Sequence, residues 1–394
     1  MSSRLRVVSI ASLFPDATRP NFGVFVERQL LEAAKDPGID LTVIAPIGIP
    51  LWPLSRHPHY RRFLGLPAME QWKDLTVYRP RFRVWPGTGG RFAPTAMSNA
   101  ILSVIRRHGL SPDILDAQFF YPDGPAAMRV AETLGIPWSV KARGADISLW
   151  GRQPATATMV REAGQKATGM LAVSGAMKRD MVELGMPGER IRIHYTGLDT
   201  DRFRPQDRAV AKAALGFPDG ILLSTIGALI PRKGQEIVIR ALPALPGVTY
   251  ALAGYGPHEA VLKALAAQLG VSDRVRFLGS VPHQDIPKLL AASDAMVLVS
   301  ESEGLANAWL EALACGTPVV ISDVGGAREV APGSSAVVIA DRIPEAVAAA
   351  VQRLVNRPPA SQAVADSVNA RFSWTKNARE LVAHWRELAG VKSE

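Results

Sequence analysis

The sequence predicts an α/β fold in which two domains each contain a parallel β-sheet. Short runs rich in Val, Ile and Leu alternate with amphipathic helical patterns along the chain, and this alternation is typical of sheets covered by helices on both faces. The 394 residues exceed the size at which one hydrophobic core stops growing. A polar stretch that ends in proline, TGLDTDRFRP at residues 196–205, separates the two halves. We therefore expect two Rossmann-like domains that face each other across a cleft, with this stretch as the linker.

The first domain is expected to span residues 1–196. Its predicted strands are the apolar runs LRVVSIA, LTVIAP, DILDAQ, WSVKAR, MLAVSG and IRIHYTG. Between them, VFVERQLLEAAK and AMSNAILSVIRRHG place apolar residues at helical spacing and are predicted to be helices. No apolar run in either half is long enough to cross a membrane as a helix.

The second domain, residues 197–372, repeats the scheme. Its predicted strands are ILLSTIGAL, TYALAG, RVRFLG, AMVLVS, PVVISD and SAVVIA. A helix in LANAWLEALAC is expected to end before Gly316 and Pro318, which are typical of helix C-termini. The last stretch, residues 373–394, has an amphipathic pattern, and we expect it to form a helix that packs back on the first domain.

Composition excludes several classes of protein. Apolar residues make up 47% of the chain and charged residues 21%, as in globular proteins without long disordered tracts. The single cysteine, Cys315, excludes an internal disulfide framework and favours a reducing compartment, which we take to be the cytoplasm. The seven histidines and this cysteine show no metal-ligand spacing, so we expect neither a metal nor a cofactor.

Positive charge is concentrated between residues 51 and 92. The net charge of the chain is +9, and this stretch has eight basic residues interleaved with aromatic ones against only Glu70 and Asp74. Such a pattern fits nucleic acid, an anionic membrane surface or a phosphate-bearing acceptor, with a solvated surface loop as the alternative. We expect peripheral attachment to an anionic membrane, at the inner face of the plasma membrane, and no nucleic-acid partner.

Glu311 is the one acidic residue in the apolar helix LANAWLEALAC. A buried carboxylate without a partner is unfavourable, so something must donate hydrogen bonds to it. The vicinal hydroxyls of a ribose offer two donors that one carboxylate can accept. The alternative is that Glu311 pairs with an arginine of the core or caps a neighbouring loop.

A turn, ESEG, precedes this helix and carries Glu303. The N–H groups of Gly304, Leu305 and Ala306 are expected at the helix N-terminus, where free donors and a partial positive charge favour an anion. Asn307 either joins this site or is only a polar residue of the first helical turn.

Two adjacent cations, Arg232 and Lys233, lie in the loop of STIGALIPRKGQEIVIRAL, between a predicted strand and a helix that begins near Gln235. Cations at the end of a strand and the start of a helix suit a diphosphate. An ordinary solvated loop is the alternative. The order Gly-Lys-Ser/Thr of a Walker loop is absent from this stretch.

Two loops of the first domain contain candidate residues for the opposite side of the ligand. Arg143, Gly144 and Asp146 follow the buried strand in VKARGADISLW. Asp146 as a simple helix N-cap is an equal alternative. Gly23 lies in the loop of PDATRPNFGVFVERQ, where close backbone approach would require glycine, and its alternative is an ordinary turn.

Together these motifs resemble glycosyltransferase family 4, retaining enzymes of the GT-B fold. The resemblance is carried by Glu303 and Glu311 with seven residues between them, by ALACGTPVVISDVGG after them, and by PRKG, GLDTDRF and a terminal FSW. These motifs are in the family's order over roughly residues 5–375. The loop FPDATRPNFGVFVERQ further resembles a branch linked to bacterial cell-wall and exopolysaccharide assembly.

The resemblance implies a metal-independent hexosyltransferase that moves a sugar from a nucleotide diphosphate sugar to an acceptor hydroxyl of a lipid-linked or polysaccharide precursor. It implies that Glu303 binds the donor sugar hydroxyls and that Arg232 and Lys233 bind the leaving diphosphate, which makes these three the expected catalytic residues. The implied donor-binding residues are Gly227, Val281, His283, Gly304, Leu305, Ala306, Asn307 and Glu311.

Gly23, Arg143 and Asp146 are the expected residues on the acceptor or donor-sugar side. Here the sequence differs from many members of the family, which have His-Gly in place of Arg143-Gly144 and Gly-Gly within the loop that reads Asn21-Phe22-Gly23. Two other functions remain open: a non-hydrolysing nucleotide-sugar epimerase, which shares the architecture, and a non-catalytic nucleotide-sugar binder.

Overall fold

The computed structural model describes residues 4–20, 22–330 and 333–391, without the side chain of residue 334. Asn21, one of the positions at which the sequence differs from the family, lies outside the described residues. The chain forms two compact units: the first comprises the described residues up to Gly197 and those from Trp374 onward, and the second comprises Leu198–Ser373. Both are α/β with mainly parallel sheets, so the predicted fold class is confirmed.

The strands of the first unit are β1 (Leu5–Ile10), β2 (Ile39–Ile44), β3 (Ile47–Pro50), β4 (Met69–Trp72), β5 (Leu75–Tyr78), β6 (Arg81–Val84), β7 (Ile114–Ala117), β8 (Trp138–Ala142), β9 (Gly169–Ala172) and β10 (Ile191–Ile193). Eight of them form a sheet in the order β10-β9-β8-β7-β1-β2-β5-β4, and β3 pairs with β6 separately. Neighbouring strands are parallel except β4 and β5.

Its helices before the linker are α1 (Val24–Ala33), α2 (Pro58–Arg61), α3 (Ala93–Arg107), α4 (Asp123–Leu134), α5 (Ala145–Ser148), α6 (Ala157–Lys166) and α7 (Gly175–Glu183). The six strands predicted for this half correspond to β1, β2 and β7 to β10. The sequence does not predict β3 to β6, because they lie in or beside the basic aromatic stretch, where no apolar run stands out.

The second unit contains α8 (Arg208–Ala214), α9 (Gln235–Ala241), α10 (Glu259–Gln268), α11 (Ile286–Ala292), α12 (Asn307–Ala314), α13 (Ala327–Val330), α14 (Pro344–Asn356) and α15 (Ser361–Phe372). Its strands are β11 (Ile221–Ile226), β12 (Val248–Ala253), β13 (Val275–Gly279), β14 (Ala295–Leu298), β15 (Val319–Ser322) and β16 (Ala336–Ile339). All six run parallel in the order β13-β12-β11-β14-β15-β16. The order reverses between β11 and β14, and such a reversal opens a crevice at the carboxyl ends of the two strands.

The last helix, α16 (Trp374–Leu388), belongs to the first unit. Leu381 and Trp385 are fully buried in a core cluster that also contains Leu30 of α1 and Val7 of β1. This packing follows from the amphipathic pattern of the segment, which places its apolar residues on one face.

None of the helices within the described residues is long and apolar enough to cross a membrane.

Candidate functional site

The candidate site of the second unit lies where β11 and β14 end. β11 and β14 are hydrogen-bonded neighbours, although some seventy residues of sequence separate them, so the loops that follow them lie side by side. The backbone N–H of Glu301 donates to the carbonyl of Arg232 across the two loops at 2.8 Å. The sheet order therefore brings together two motifs that the sequence presents separately.

Lys233 and Glu303 form an ion pair across these loops. Lys233 Nζ lies 2.5 Å from Glu303 Oε1, and their side chains are 16% and 11% exposed. The next residue, Gly234, has a φ of 74°, and a Cβ there would overlap the carbonyl oxygen of Val299 at the end of β14. Glycine thus lets the lysine loop lie close against β14, which brings the ammonium group within reach of the carboxylate.

Arg232 joins the same two loops through the backbone. Its Nη1 donates to the carbonyl oxygen of Ser302, and Ser302 Oγ lies 3.4 Å from the same nitrogen. The guanidinium is half-buried beside the ion pair. The two cations predicted for a diphosphate thus lie together at the carboxyl end of the sheet.

The turn before α12 presents backbone donors. Gly304, Leu305 and Ala306 are buried, and within the described residues their N–H groups donate to no protein acceptor. Because α12 begins at Asn307, these groups lie at the positive end of the helix.

Gly325 and Gly326, which were not among the predicted site residues, hold this turn from behind. Gly326 N donates to Gly304 O at 2.8 Å. Gly325 has a φ of 54°, and a Cβ there would overlap the carbonyl oxygen of Glu303. Two adjacent glycines, one residue after the predicted strand PVVISD, were the available signal for such a close approach.

Glu311 is less isolated than the sequence predicts. Its side chain is 17% exposed, and its Oε1 lies 3.4 Å from His283 Nε2. The loop after β13 places His283 over this face of α12, so a histidine of the same unit is a partner of this carboxylate. Asn307 lies four residues earlier on the same face of the helix and is half-buried.

The other predicted donor-side residues belong to loops of the same unit. Val281 and His283 are half-buried in the loop after β13. Gly227 directly follows β11 with a φ of 153°, and a Cβ on the facing Gly254 would overlap the Gly227 carbonyl. The two loops therefore pack backbone against backbone.

In the first unit, Arg143 forms a two-point contact with Gln118. Its Nε donates to the Gln118 carbonyl at 2.7 Å and its Nη2 to the Gln118 carboxamide oxygen at 2.6 Å. Gln118 directly follows β7 and was missed as a candidate, although a polar residue at the end of a buried strand was a usable signal.

Asp146 is fully buried and accepts hydrogen bonds from backbone N–H groups. The donors are Phe120 at 3.0 Å, Arg143 at 3.0 Å and Gly144 at 2.7 Å. Burial raises the pKa of Asp146, and these donors oppose the rise. The N-cap of α5 is Gly144 and Asp146 lies inside this helix, so Asp146 is not the helix N-cap of the alternative interpretation. It instead shapes the loop that carries Arg143 by accepting from that loop's N–H groups.

Gly23 precedes α1 with a φ of 69°, and a Cβ there would overlap the carbonyl oxygen of Leu13. The first loop thus folds closely on itself, and only glycine fits at this position without strain.

Two family models together match most of the chain. Residues 26–202 match the family described as Glycosyltransferase Family 4, and residues 207–381 match Glycosyl transferases group 1. TuaC of Bacillus subtilis (strain 168), a glycosyltransferase assigned to teichuronic acid biosynthesis, is 29% identical over 388 residues, which cover 96% of this chain and 97% of TuaC. D-inositol 3-phosphate glycosyltransferase of Mycobacterium tuberculosis (strain F11) is 35% identical over 235 residues, 54% of this chain and 47% of that protein.

Solved structures share the fold. Sucrose-phosphate synthase from Thermosynechococcus elongatus has a TM-score of 0.83 at 19% identity and covers 98% of this chain and 100% of its own. HepE of Anabaena, solved in complex with UDP-glucose, has a TM-score of 0.72 at 19% identity. The match covers 98% of this chain and 100% of HepE. The likeness concerns the fold, which is GT-B.

Proposed function

The chain belongs to the glycosyltransferases of family 4 and group 1, and we propose that it is a retaining hexosyltransferase that uses a nucleoside diphosphate sugar as donor. The observation that carries the proposal is the Lys233–Glu303 ion pair, 2.5 Å long, next to the turn before α12, whose N–H groups have no acceptor among the described residues. In one crevice, the cation and the helix N-terminus suit the negatively charged diphosphate of such a donor, and the carboxylate suits its sugar hydroxyls.

Lys233, Arg232 and the amides of the turn are proposed to bind the diphosphate. Negative charge grows on this group as the bond to the sugar breaks, so donors already in position favour the transition state over the ground state. One such donor is typically worth about 2.7–4 kcal/mol. On this assignment Lys233 exchanges part of its contact with Glu303 for phosphate, and Glu303 accepts from the sugar hydroxyls.

Glu311 is proposed to accept from the vicinal hydroxyls of the ribose, with Gly227, Val281 and His283 beside the base. HepE was solved with UDP and with UDP-glucose, which supports a nucleotide-sugar donor for this chain.

In the proposed reaction, the bond between the anomeric carbon and the diphosphate oxygen breaks, and the electron pair leaves with the diphosphate. The acceptor hydroxyl oxygen attacks from the face that the diphosphate leaves, and its proton passes to the departing phosphate oxygen. The configuration at the anomeric carbon is retained. The positive charge of Arg232 and Lys233 takes the place of a divalent ion, and no cofactor is required.

The proposed acceptor is a hydroxyl of a lipid-linked or polysaccharide precursor. TuaC, which is similar over nearly the whole chain, is assigned to teichuronic acid biosynthesis, and this supports a cell-wall or exopolysaccharide acceptor. Gly23, Arg143 and Asp146 belong to the loops proposed for the acceptor or donor-sugar side.

The stretch of residues 51–92 is proposed to attach the enzyme to an anionic membrane at its cytoplasmic face, with residues 51–62 as the part that contacts the lipid. Leu51, Trp52 and Leu54 are 48%, 73% and 51% exposed, and Arg56 and Arg61 are exposed beside them. No acidic residue occurs between residues 41 and 69, so this charge is not neutralised locally. Exposed tryptophan and arginine together favour the interface of an anionic leaflet.

Co-sedimentation with vesicles tests this attachment. We expect binding to vesicles that contain phosphatidylglycerol and not to pure phosphatidylcholine, and loss of binding when Arg56 and Arg61 are both changed to Gln. Replacing the exposed pair Arg106 and Arg107 of α3 by Gln is the matched control. Equal binding by both double variants, or none by the wild type at low salt, contradicts the proposal.

The donor site is tested by turnover. A thermal-shift panel of UDP-, GDP- and ADP-sugars identifies the donor, and release of the nucleoside diphosphate is then measured with acceptor, with and without EDTA. We expect Lys233→Ala to lower kcat by about 100- to 1000-fold, Glu303→Ala to weaken transfer as well, and EDTA to have no effect.

Lys263→Ala is the matched control, because Lys263 forms an exposed ion pair with Glu259 at 2.7 Å in the same unit. Wild-type transfer by both site variants would contradict the assignment. NMR of the sugar product separates retention from inversion, and epimerised donor formed without acceptor would identify an epimerase instead.

A further inference from the structure

Arg202 of the predicted linker contacts the donor side of the second unit. Its Nη1 lies 2.8 Å from His283 Nδ1. Arginine can only donate, so Nδ1 must accept and the proton of the neutral ring is on Nε2. The contact therefore selects one tautomer of His283.

The selected tautomer directs an N–H at Glu311. His283 Nε2 lies 3.4 Å from Glu311 Oε1. The imidazole is also held from the side by Phe203, whose ring centroid lies 5.5 Å away at an interplanar angle of 74°. Phe203 is only 1% exposed, so the ring packs against an anchored neighbour.

Arg202 is itself fixed by Asp199. Its backbone N–H donates to Asp199 Oδ1 at 3.1 Å, and its Nε lies 3.6 Å from Asp199 Oδ2. A short turn of the predicted linker thus places the guanidinium, the guanidinium orients the imidazole, and the imidazole contacts Glu311.

We propose that Arg202 is a positioning residue for donor recognition: acting through His283, it holds Oε1 of Glu311 and leaves Oε2 to accept from the ribose diol. This inference rests on the proposed function, since it requires that Glu311 binds the nucleoside. On this proposal, the predicted linker helps the protein to bind ribonucleotides in preference to nucleotides that lack the 2′- and 3′-hydroxyls.

The test compares nucleotides that differ only in the diol. Dissociation constants are measured by calorimetry for UDP, GDP and ADP, and for the 2′,3′-dideoxy form of the one that binds most tightly. We expect Arg202→Ala to weaken the ribonucleotide by about two- to tenfold and to leave the dideoxy form unchanged. Arg204→Ala is the matched control, because its exposed side chain belongs to the same segment and carries the same charge.

A second variant separates positioning from simple structural support. In His283→Gln, the side-chain amide can donate to Glu311 without Arg202, because an amide has no tautomer that Arg202 must select. Adding Arg202→Ala to this variant should therefore change ribonucleotide affinity less than it does in the wild type.

Equal losses for the ribo and dideoxy forms, or unchanged affinity in Arg202→Ala, would overturn the inference while the proposed function stands. If the wild type binds none of the three nucleoside diphosphates, the proposed function itself fails, and the role of Arg202 fails with it.

Discussion

Each unit places a lysine near the carboxyl end of a central strand, but the surroundings of the two lysines differ. Lys233 in the second unit is partly exposed and faces the carboxylate of Glu303. Lys141 at the end of β8 is 1% exposed, and the partners of its Nζ are Gln29 Oε1 at 3.0 Å and His194 Nδ1 at 2.9 Å. Burial lowers the pKa of Lys141 well below its ordinary value.

The partners of Lys141 continue into the last helix. His194 Nε2 lies 2.8 Å from the carbonyl oxygen of Asn377, to which it donates, so its Nδ1 is free to accept from Lys141. Asn377 Nδ2 in turn donates to the Tyr195 carbonyl at 2.5 Å. This chain of hydrogen bonds connects β8, the end of β10 and α16.

The two lysines illustrate two roles of a polar side chain: one is proposed to bind a ligand, and the other supports the fold. An ion pair at a crevice can exchange one partner for a charged ligand, because water and ligand both reach it. A buried chain of neutral partners cannot exchange them without leaving a donor or acceptor unpaired. We therefore interpret the Lys233 region as the functional site and the Lys141 network as support for the fold.

The largest expected effect concerns the helix at the end of the Lys141 network. Trp385→Ala should destabilise the first unit by about 3–5 kcal/mol, because Trp385 is fully buried between α16 and the sheet. Hydrogen exchange of peptides from α1 and α16 measures the change. Trp52→Ala is the control, since Trp52 is 73% exposed, and similar effects of the two changes would contradict the packing argument.

Exchanging the two lysines for alanine tests the comparison directly. Lys141→Ala leaves His194 Nδ1 without its donor and leaves Gln29 Oε1 with the longer contact to Arg143 Nη2 at 3.4 Å. The change should cost the first unit about 1–3 kcal/mol, with donor binding by the second unit retained. Lys233→Ala should reduce transfer and leave exchange of the β11 and β14 amides nearly unchanged. Hydrogen exchange and nucleotide affinity, measured on both variants, distinguish the roles, and a reversed pattern would refute the comparison.

A third expected effect depends on pH and concerns Asp123. Burial raises the pKa of Asp123 to about 7, and its Oδ2 accepts from Ser12 N at 3.0 Å. Since the folded-state pKa lies above the unfolded value of about 3.9, its protonation stabilises the fold at low pH, and this contribution is lost as pH rises through about 7.

Asp123→Asn should therefore gain stability relative to the wild type between pH 5 and pH 8, by roughly one to a few kcal/mol. The difference in Tm between the two proteins, measured across this range, checks the sign. Glu259→Gln, at a partly exposed carboxylate of the second unit, is the matched control. A difference for Asp123→Asn that does not change with pH would contradict the expectation.

The sequence predicted the long parallel strands because burial on both faces produces continuous apolar runs, as in ILLSTI of β11. It also located the loops that carry Arg232, Lys233 and Glu303, since ligands bind where such strands end. It could not pair Lys233 with Glu303, because that contact depends on β11 lying next to β14. Likewise, the contact between Glu311 and His283 depends on where the loop after β13 folds, which no local pattern encodes.

The second unit begins and ends at adjacent points. The backbone N–H of Leu198 donates to the carbonyl of Phe372 at 2.5 Å, and Leu198 forms a parallel bridge with Ser373. Residues 198–373 are thus one continuous insertion with neighbouring ends, whereas the first unit is assembled from the stretches before and after it. Recombination that replaced this insertion with the corresponding stretch of a relative would leave every strand of the first sheet intact, which provides a simple evolutionary route to enzymes that keep one half and change the other.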